Sequence, residues 1–203
     1  MKHLFLINPA AGKRGSTDAL CRQIVDTFTA LGLDYEIFLA AAPRDCEARA
    51  RAAAESGEPV RLYACGGDGT LNEAVNGAAG YDNAAVTNVP KGTGNDFIKL
   101  FGPTYRSAFS DLAALAAGPQ SAFDLMDCNG RLGIDVCCAG VDARIAADVH
   151  KYKSIPLLNG MAAYSLSLIV NVLFKGLSRP TRILAGDTVL DGESTFICMC
   201  IGR

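Results

Sequence analysis

Residues 60–78 read VRLYACGGDGTLNEAVNGA, and this stretch decides the fold. Val60 to Cys65 is a mostly apolar stretch of strand length, residues 66–69 form a glycine-rich loop, and Leu71 to Ala79 has helical character. A buried strand that enters a helix through such a loop is typical of a parallel α/β fold. Ligands of these folds bind at loops beyond the carboxyl ends of the strands, so we expect a ligand site here.

The same alternation of strand and helix continues on both sides of this stretch. Further strands are predicted at Leu4–Ile7, Tyr35–Leu39 and Ala85–Val89, and further helices at 16–31 with Ser16 as cap, at 43–55 and at 107–117. Apolar strands separated by helices imply a parallel sheet that is covered on both faces. We therefore predict a three-layer α/β domain over residues 1–125.

A second, β-rich region is predicted over residues 126–203. The pattern indicates a hairpin of residues 123–127 and 132–137 around Asn129-Gly130, helices at 142–149 and 162–174, and strands at 182–185, 188–190 and 195–201 with turns at 186–187 and 191–192. The last strand runs into Gly202-Arg203 without a closing element, so we expect the region to be incomplete and the chain to be truncated.

Composition narrows the class of protein. The 203 residues are 50% hydrophobic and carry a net charge of −2, which argues against nucleic acid as a partner. The eight cysteines include Cys137-Cys138 and a C-x-C at Cys198 and Cys200, and we expect them to be reduced and mostly buried in a cytoplasmic protein. No apolar run reaches the ~18 residues of a membrane span.

Two further loops share the character of the one after Cys65. Asn8 to Lys13 follows the first strand, and its small residues allow close approach of a ligand, although a purely structural turn explains it equally well. Pro90 to Phe97 reads PKGTGNDF and follows the fourth strand. Glycine-rich loops at helix N-termini offer converging backbone N–H groups to phosphate oxygens.

Acidic residues stand within these loops. A carboxylate in a phosphate cradle repels the ligand unless a metal ion or a proton transfer requires it, so Asp68 is a candidate general base or metal-linked carboxylate. Asp96 is a second candidate, and Asn95 and Asp96 are alternatively helix caps. Asp124 is a third, with a hairpin role as the alternative. The combination predicts phosphoryl transfer.

These motifs resemble the diacylglycerol kinase catalytic-domain family, which includes bacterial lipid kinases and sphingosine and ceramide kinases. The matching stretches are Asn8-Pro9 with Gly12-Lys13, GGDGTLNEAVNG at 66–77 and PKGTGNDF at 90–97, with weaker matches at 123–125 and 140–143. The GGDGT loop is shared with NAD kinases, whereas GTGNDF in register after it is specific to the lipid-kinase side.

The resemblance implies a Mg²⁺-dependent kinase that binds ATP in the cleft between an α/β domain and a β-sandwich domain. It implies transfer of the γ-phosphate to a lipid hydroxyl. It implies that Asp68, Asp96 and Asp124 are catalytic, and it does not identify the metal ligands. It implies ATP contacts from Asn8, Pro9, Ala10, Ala11, Gly12, Gly66, Gly67, Asp68, Gly69, Thr70, Leu71, Asn72 and Thr93. A diacylglycerol-like acceptor and transient contact with a membrane surface follow as expectations.

The chain departs from the family pattern in one loop and leaves alternatives open. Bacterial members often carry an ATP-contacting threonine after the second strand, where this chain has Leu39 to Ala42. The alternatives are a NAD kinase and a non-catalytic nucleotide-binding fragment. Leu166, Ile169 and Leu173 either line a lipid pocket or belong to a plain core, and the oligomeric state is not predicted.

Overall fold

The computed structural model describes residues 1–13, 15–92, 94–153 and 160–201. The chain divides into two compact units, Met1–Asp135 and Val136–Arg203. The division lies ten residues beyond the boundary near residue 125 that the sequence suggested. The reason is that the hairpin after residue 125 is hydrogen-bonded to helices of the first unit.

The first unit alternates strands and helices, as the sequence predicts. Its elements are β1 (Lys2–Ile7), α1 (Ser16–Ala30), β2 (Tyr35–Leu39), α2 (Asp45–Glu55), β3 (Val60–Gly66), α3 (Asp68–Ala78), β4 (Ala84–Pro90), α4 (Asp96–Lys99), α5 (Tyr105–Ala108), α6 (Leu112–Ala117), β5 (Met126–Cys128) and β6 (Arg131–Gly133). Strands β1 to β4 form one parallel sheet in the order β2-β1-β3-β4, which confirms the predicted α/β fold class.

Two apolar clusters cover the two faces of this sheet. Helix α1 packs Ile24 and Phe28 against one face, where Phe5 and Tyr63 stack with ring centroids 4.3 Å apart. Helices α2 and α3 pack on the other face, where β1 and β3 contribute side chains such as Leu4. Alternate residues of a strand point to opposite faces, so the continuous apolar runs of β1 and β3 serve both clusters.

Helices α2 and α3 approach closely at Gly77. A Cβ atom on Gly77 would lie 2.4 Å from the Glu47 carbonyl oxygen and 2.7 Å from the Ala50 Cβ atom. A backbone carbonyl within a helix cannot move aside without loss of its own hydrogen bond. This crossing therefore requires glycine.

Three local predictions in the first unit were wrong. Residues 107–117 form two short helices rather than one, because Asp111 caps a new helix by accepting a hydrogen bond from the Ala114 N–H group (3.0 Å). Ser16 is the first residue of α1 rather than its cap, a position that Gly15 takes with φ 80°. The predicted strand at 132–137 is split, because β6 ends at Gly133 and the next strand pairs elsewhere.

The second unit contains β7 (Val136–Gly140), α7 (Val141–Lys153), α8 (Gly160–Phe174), β8 (Arg179–Ala185), β9 (Thr188–Ser194) and β10 (Phe196–Cys200). Strand β10 pairs antiparallel with β7, and β8 with β9. The predicted turn at Asp191-Gly192 was wrong. These residues lie within β9 opposite Arg182 and Thr181, since the hairpin that turns at Gly186-Asp187 is longer than its apolar core suggests.

Helices α7 and α8 meet through polar side chains. Asn171 is fully buried and donates to the Asp148 carboxylate (3.0 Å), and the fully buried Ser167 hydroxyl donates to the Ile145 carbonyl (2.8 Å). Ile169 and Leu173 are exposed, so the plain-core interpretation was wrong for these two residues. No helix within the described residues is long and apolar enough to cross a membrane.

Candidate active site

The loops that follow β1, β3 and β4 meet at one edge of the sheet. The Asn8 N–H group donates to the Cys65 carbonyl (3.1 Å), and the N–H groups of Lys91 and Gly92 donate to the Gly66 carbonyl (2.8 and 3.2 Å). The three strands are adjacent and parallel, so their carboxyl ends lie side by side. The predicted convergence of the three motifs is therefore present in the fold.

Glycines allow these loops to touch through their backbones. A Cβ atom on Gly92 would lie 2.7 Å from the Gly67 Cα atom, closer than real Cβ contacts. A Cβ atom on Gly66 would lie 2.1 Å from the Thr70 hydroxyl oxygen. Gly12 combines φ +84° with a Cβ position 3.0 Å from the Lys91 carbonyl oxygen. Each motif thus contributes a glycine that the packing of the loops requires.

The N-terminus of α3 points into this junction. The N–H groups of Thr70 and Leu71 already bond to the Gly67 carbonyl (3.0 and 3.1 Å). The N–H groups of Asp68 and Gly69 precede the helix's own hydrogen bonds, so they face outward with the positive end of the helix dipole. This arrangement suits an anion such as a phosphate group.

The loop after β1 is held in shape by Asn8. Its side-chain oxygen accepts a hydrogen bond from the Ala10 N–H group (3.0 Å), and its carbonyl accepts one from Ala11 (3.2 Å). Its side-chain amide lies 3.4 Å from the Thr70 hydroxyl oxygen. Asn8 therefore connects the first loop to the start of α3.

A cleft of about 570 Å³ opens between these loops and the N-terminus of α2. Its lining comprises Asn8, Pro9, Ala10, Ala40, Ala41, Ala42, Pro43, Cys46, Gly67, Gly69, Thr70 and Glu73. The residues from Ala40 to Cys46, and Glu73, were not predicted to belong to a site. For Ala40 to Cys46 the sequence offered one signal: they follow β2, whose carboxyl end lies at the same edge of the sheet.

The wall after β2 presents backbone and small apolar side chains. The N–H groups of Ala41 and Ala42 both donate to the Asp45 carboxylate (2.9 and 2.8 Å), which caps the start of α2. Burial raises the pKa of Cys46 to about 11, so its thiol stays protonated and unreactive at neutral pH. This wall can therefore contact a ligand through van der Waals packing, and it has no side-chain hydroxyl to donate a hydrogen bond.

Asp68 and Asp96 lie side by side. The Asp96 N–H group donates to Asp68 Oδ1 (2.7 Å). A Cβ atom on Gly94 would lie 2.9 Å from Asp68 Oδ2 and 3.9 Å from Asp96 Oδ2, so both carboxylates flank this glycine. The Lys99 ammonium group pairs with Asp96 Oδ1, and this hydrogen bond raises the pKa of Lys99.

Asp124 and Thr93 complete the predicted set less directly. Asp124 is exposed, and the preceding Phe123 packs against Phe97 with ring centroids 5.4 Å apart. Within the described ranges, no three metal-ligating side chains gather into one group. The close acidic pair is therefore Asp68 and Asp96. Thr93 lies outside the described residues.

Two predicted ATP contacts have other partners. The Asn72 amide nitrogen donates to the Leu132 carbonyl (2.8 Å), and its oxygen accepts from the Arg131 guanidinium group (3.1 Å). Leu71 is buried in the cluster beneath α3. Asn76 reinforces the first contact, since its oxygen accepts from the Leu132 N–H group (2.9 Å). In this structure the side chains of Asn72 and Leu71 therefore pack the fold, and the ATP contacts implied for the two residues stay predictions.

Lys91 is a cation that the sequence analysis did not single out. Its ammonium group donates to the Thr17 hydroxyl (2.8 Å) at the start of α1, and burial lowers the pKa of Lys91. It lies directly behind the first loop, because the Cβ position of Gly12 is 3.6 Å from the Lys91 Cβ atom. Lys91 therefore joins the third loop to α1.

Comparisons with known proteins agree on one family. The family model described as diacylglycerol kinase catalytic domain matches residues 2–128. The chain is 30% identical over 173 residues to "Probable lipid kinase YegS-like" of Pseudomonas fluorescens (strain Pf-5), covering 84% of this chain and 53% of that protein. It is 28% identical over 162 residues to "Diacylglycerol kinase" of Bacillus subtilis (strain 168), covering 79% and 52%.

A solved structure agrees at the level of the fold. A crystal structure of a diacylglycerol kinase from Bacillus anthracis str. Sterne superposes with a TM-score of 0.67 and 24% identity, covering 97% of this chain and 63% of that one. The chain spans about half the length of the curated relatives it matches.

Proposed function

The chain belongs to the diacylglycerol kinase catalytic-domain family, and on that basis we propose that it is the nucleotide-binding part of an ATP-dependent lipid kinase. The enzyme transfers the γ-phosphate of ATP to a hydroxyl group of a diacylglycerol-like lipid. The observation that carries this proposal is the placement of two carboxylates, Asp68 and Asp96, beside a helix N-terminus that opens into a cleft.

The cleft is the proposed ATP site. The outward N–H groups of Asp68 and Gly69 offer donors to the phosphates, the residues from Asn8 to Ala10 form the facing wall, and the small side chains of Ala40 to Ala42 leave room for the rest of the nucleotide. Asn72 and Leu71 act from behind, since they hold α3 in place. Thr93, from the specific GTGNDF motif, remains a proposed contact.

The donor chemistry fits Mg²⁺. Magnesium prefers oxygen ligands and is usually held by one or two carboxylates together with substrate phosphates and water. Asp68 and Asp96 supply two such carboxylates, and Asp124 is the proposed third acidic residue. When bound, Mg²⁺ neutralises charge on the phosphates that approach these carboxylates.

Asp68 is the proposed general base. Its Oδ1 atom is held by the Asp96 N–H group, so the carboxylate has a defined orientation while Oδ2 faces Gly94. The side chain accepts the proton of the attacking lipid hydroxyl as that oxygen approaches the γ-phosphate. Asp96 is held in turn by an ion pair with Lys99.

The lipid acceptor sets the proposed location. A long-chain hydroxyl substrate resides in a bilayer, so a cytoplasmic enzyme reaches it by transient contact with the membrane surface. Outward apolar side chains of α8, including Ile169 and Leu173, are the proposed contacts with lipid.

The test compares binding with transfer. We expect Asp68→Asn to bind ATP without Mg²⁺ as the unmodified protein does in calorimetry, and to lose about 10²- to 10⁴-fold in transfer of radiolabelled phosphate to diacylglycerol. Asp26→Asn, on the exposed face of α1, is the matched control and should change neither quantity. Sphingosine and NAD are offered in parallel. Phosphorylation of NAD alone, or unchanged lipid turnover in Asp68→Asn, would refute the proposal.

A further inference from the structure

Three of the four cysteines of the second unit are exposed, contrary to the sequence prediction, and Cys137 is partly buried. Only Cys46 and Cys65 are buried, whereas Cys128, Cys138, Cys198 and Cys200 are exposed. Two of the exposed thiols are neighbours: Cys138 Sγ lies 2.9 Å from Cys198 Sγ, although the residues are 60 positions apart in the chain.

The strand register places this pair directly opposite each other. Cys138 of β7 faces Cys198 of β10, while Cys137 faces Met199 and Cys200 faces Val136. The Val141 N–H group donates to the Thr195 carbonyl (3.0 Å), which marks residues 141 and 195 as a hydrogen-bonded pair. Pairs alternate along an antiparallel ladder, so 138 and 198 form a non-hydrogen-bonded pair, in which side chains approach most closely.

This geometry suits a disulfide. Cα atoms of a non-hydrogen-bonded pair are about 4.5 Å apart, within the range of about 4.4–6.8 Å that disulfides span. Cys137 and Cys200 do not have this geometry toward Cys198 or Cys138. Adjacent residues of a strand point to opposite faces. Cys137 therefore points away from Cys198, and Cys200 lies two residues further along its strand.

We propose that Cys138 and Cys198 form a reversible disulfide that joins β7 to β10, with a low-molecular-weight disulfide such as oxidised glutathione as the oxidant. The Cys198 thiolate attacks one sulfur of the oxidant, forming a mixed disulfide and releasing one thiolate of glutathione. Cys138 Sγ then attacks Cys198 Sγ, the second glutathione leaves as a thiol, and two protons and two electrons have passed to the oxidant.

The surroundings of Cys138 keep its thiol protonated at neutral pH. The hydrogen bond shared with Cys198 and the nearby Asp142 carboxylate raise the pKa of Cys138 to about 12. The exchange balances in the same way whichever of the two thiols attacks the oxidant first.

Closure of the bond changes the surroundings of a family motif. Cys138 lies two residues before Gly140-Val141-Asp142, where β7 enters α7, and its thiol proton is lost when the disulfide forms. The bond also cross-links β7 and β10, which pair with each other in a two-stranded sheet. Oxidation therefore acts on the second unit, away from Asp68 and Asp96 in the chain.

The test uses the 203-residue chain, and its eight thiols are titrated after denaturation because Cys46 and Cys65 are buried in the folded chain. Oxidised glutathione should lower the number of titratable thiols from eight to six and the mass by two hydrogen atoms, and dithiothreitol should reverse both. After trypsin, peptides 132–144 and 183–203 should appear as one linked species. Cys138→Ser and Cys198→Ser should abolish the link.

Matched variants separate this bond from random oxidation. Cys137→Ser and Cys200→Ser each remove the other cysteine of one tryptic peptide and should leave the link between Cys138 and Cys198 intact. Each pair of variants changes one thiol in the same strand, so any effect on folding is shared. Linked peptides in Cys138→Ser or Cys198→Ser, or eight titratable thiols after oxidation of the unmodified chain, would overturn the proposal.

Discussion

Two glycines of the same motif should respond oppositely to alanine substitution. Gly69 and Gly77 both lie in α3, eight residues apart in GGDGTLNEAVNG. Gly69 lines the cleft, whereas Gly77 lies against α2. We expect Gly69→Ala to impair nucleotide binding and leave the fold intact, and Gly77→Ala to weaken the fold and leave binding intact.

The cost at Gly77 follows from its contacts. The added Cβ would lie 2.4 Å from a carbonyl oxygen of α2 and 3.0 Å from the Arg51 nitrogen, both of them backbone atoms. Overpacking of this kind costs about 1–3 kcal/mol, and the upper end applies because backbone must move. Alanine regains about 1 kcal/mol of helix propensity. The net loss is about 2 kcal/mol, which for a chain of this size lowers Tm by about 4–8 °C.

The effect at Gly69 has the opposite sign for stability. No described atom lies within 4 Å of its Cβ position, so Gly69→Ala should raise the free energy of unfolding by up to about 1 kcal/mol. The methyl group enters the cleft beside the outward N–H groups of α3. We expect ATP affinity to fall by about tenfold or more, equivalent to ~1.4 kcal/mol.

Urea denaturation and calorimetric titration with ATP and Mg²⁺ measure the two quantities separately. Titrations are performed at a temperature at which both variants are folded, so a weaker fold does not imitate weaker binding. If Gly77→Ala reduced ATP affinity as much as Gly69→Ala, or if Gly69→Ala lowered Tm, the division of the motif into a ligand half and a packing half would be wrong.

Two further predictions concern stability. Arg131→Ala should cost about 1–3 kcal/mol in urea denaturation, because it removes a charged hydrogen bond to the nearly buried Glu47 (2.5 Å). Burial acts to raise the pKa of Glu47, but hydrogen bonds from Arg131 and Arg44 outweigh it and lower that pKa. The contribution is therefore complete above about pH 4.5 and lost at lower pH, and the variant should show a smaller acid loss. Burial lowers the pKa of His3, so its folded form stays neutral. Stability should fall as pH drops below about 6.5, and His3→Gln, which retains a partner for Tyr63, should flatten that slope; an unchanged slope would contradict this account.

The sequence predicted the first unit well because its signals are local. Strands β1 and β3 contain the apolar runs Leu4–Ile7 and Leu62–Cys65, which a parallel sheet covered on both faces buries, and each strand is followed by a loop of small residues. Strand polarity then brings those loops to one edge without further information. The convergence of Asn8, Gly66 and Lys91 follows from this rule alone.

Roles that depend on distant partners were not predictable in the same way. Asn72 stands within the motif that we propose to bind phosphate, and its chemistry suits a ligand donor. Its partners, Arg131 and Leu132, follow about 60 positions later on a hairpin. The spacing of residues near Asn72 in the sequence does not indicate a contact with residues so far along the chain. Glu47 shows the same limit, since an acidic residue in an exposed-looking helix is held by that same hairpin.

The exposed thiols were missed for a related reason. A cysteine in an apolar strand is typical of a small buried side chain, and the C-x-C spacing of Cys198 and Cys200 does not indicate which cysteine either residue contacts. Pairing of β10 with β7 rather than with β9 is a choice between strands that periodicity does not decide. Only that choice places Cys198 opposite Cys138.

The second and third motifs act as one unit in forming the acidic pair. Gly92 admits the close approach of Gly67, and Asn95 adopts φ 53° while its amide donates to the Gly92 carbonyl (2.7 Å). This turn aims the Asp96 N–H group at Asp68, and Gly94 leaves space for the Asp68 carboxylate. The turn formed by GTGNDF therefore orients the Asp68 carboxylate, which belongs to the preceding motif.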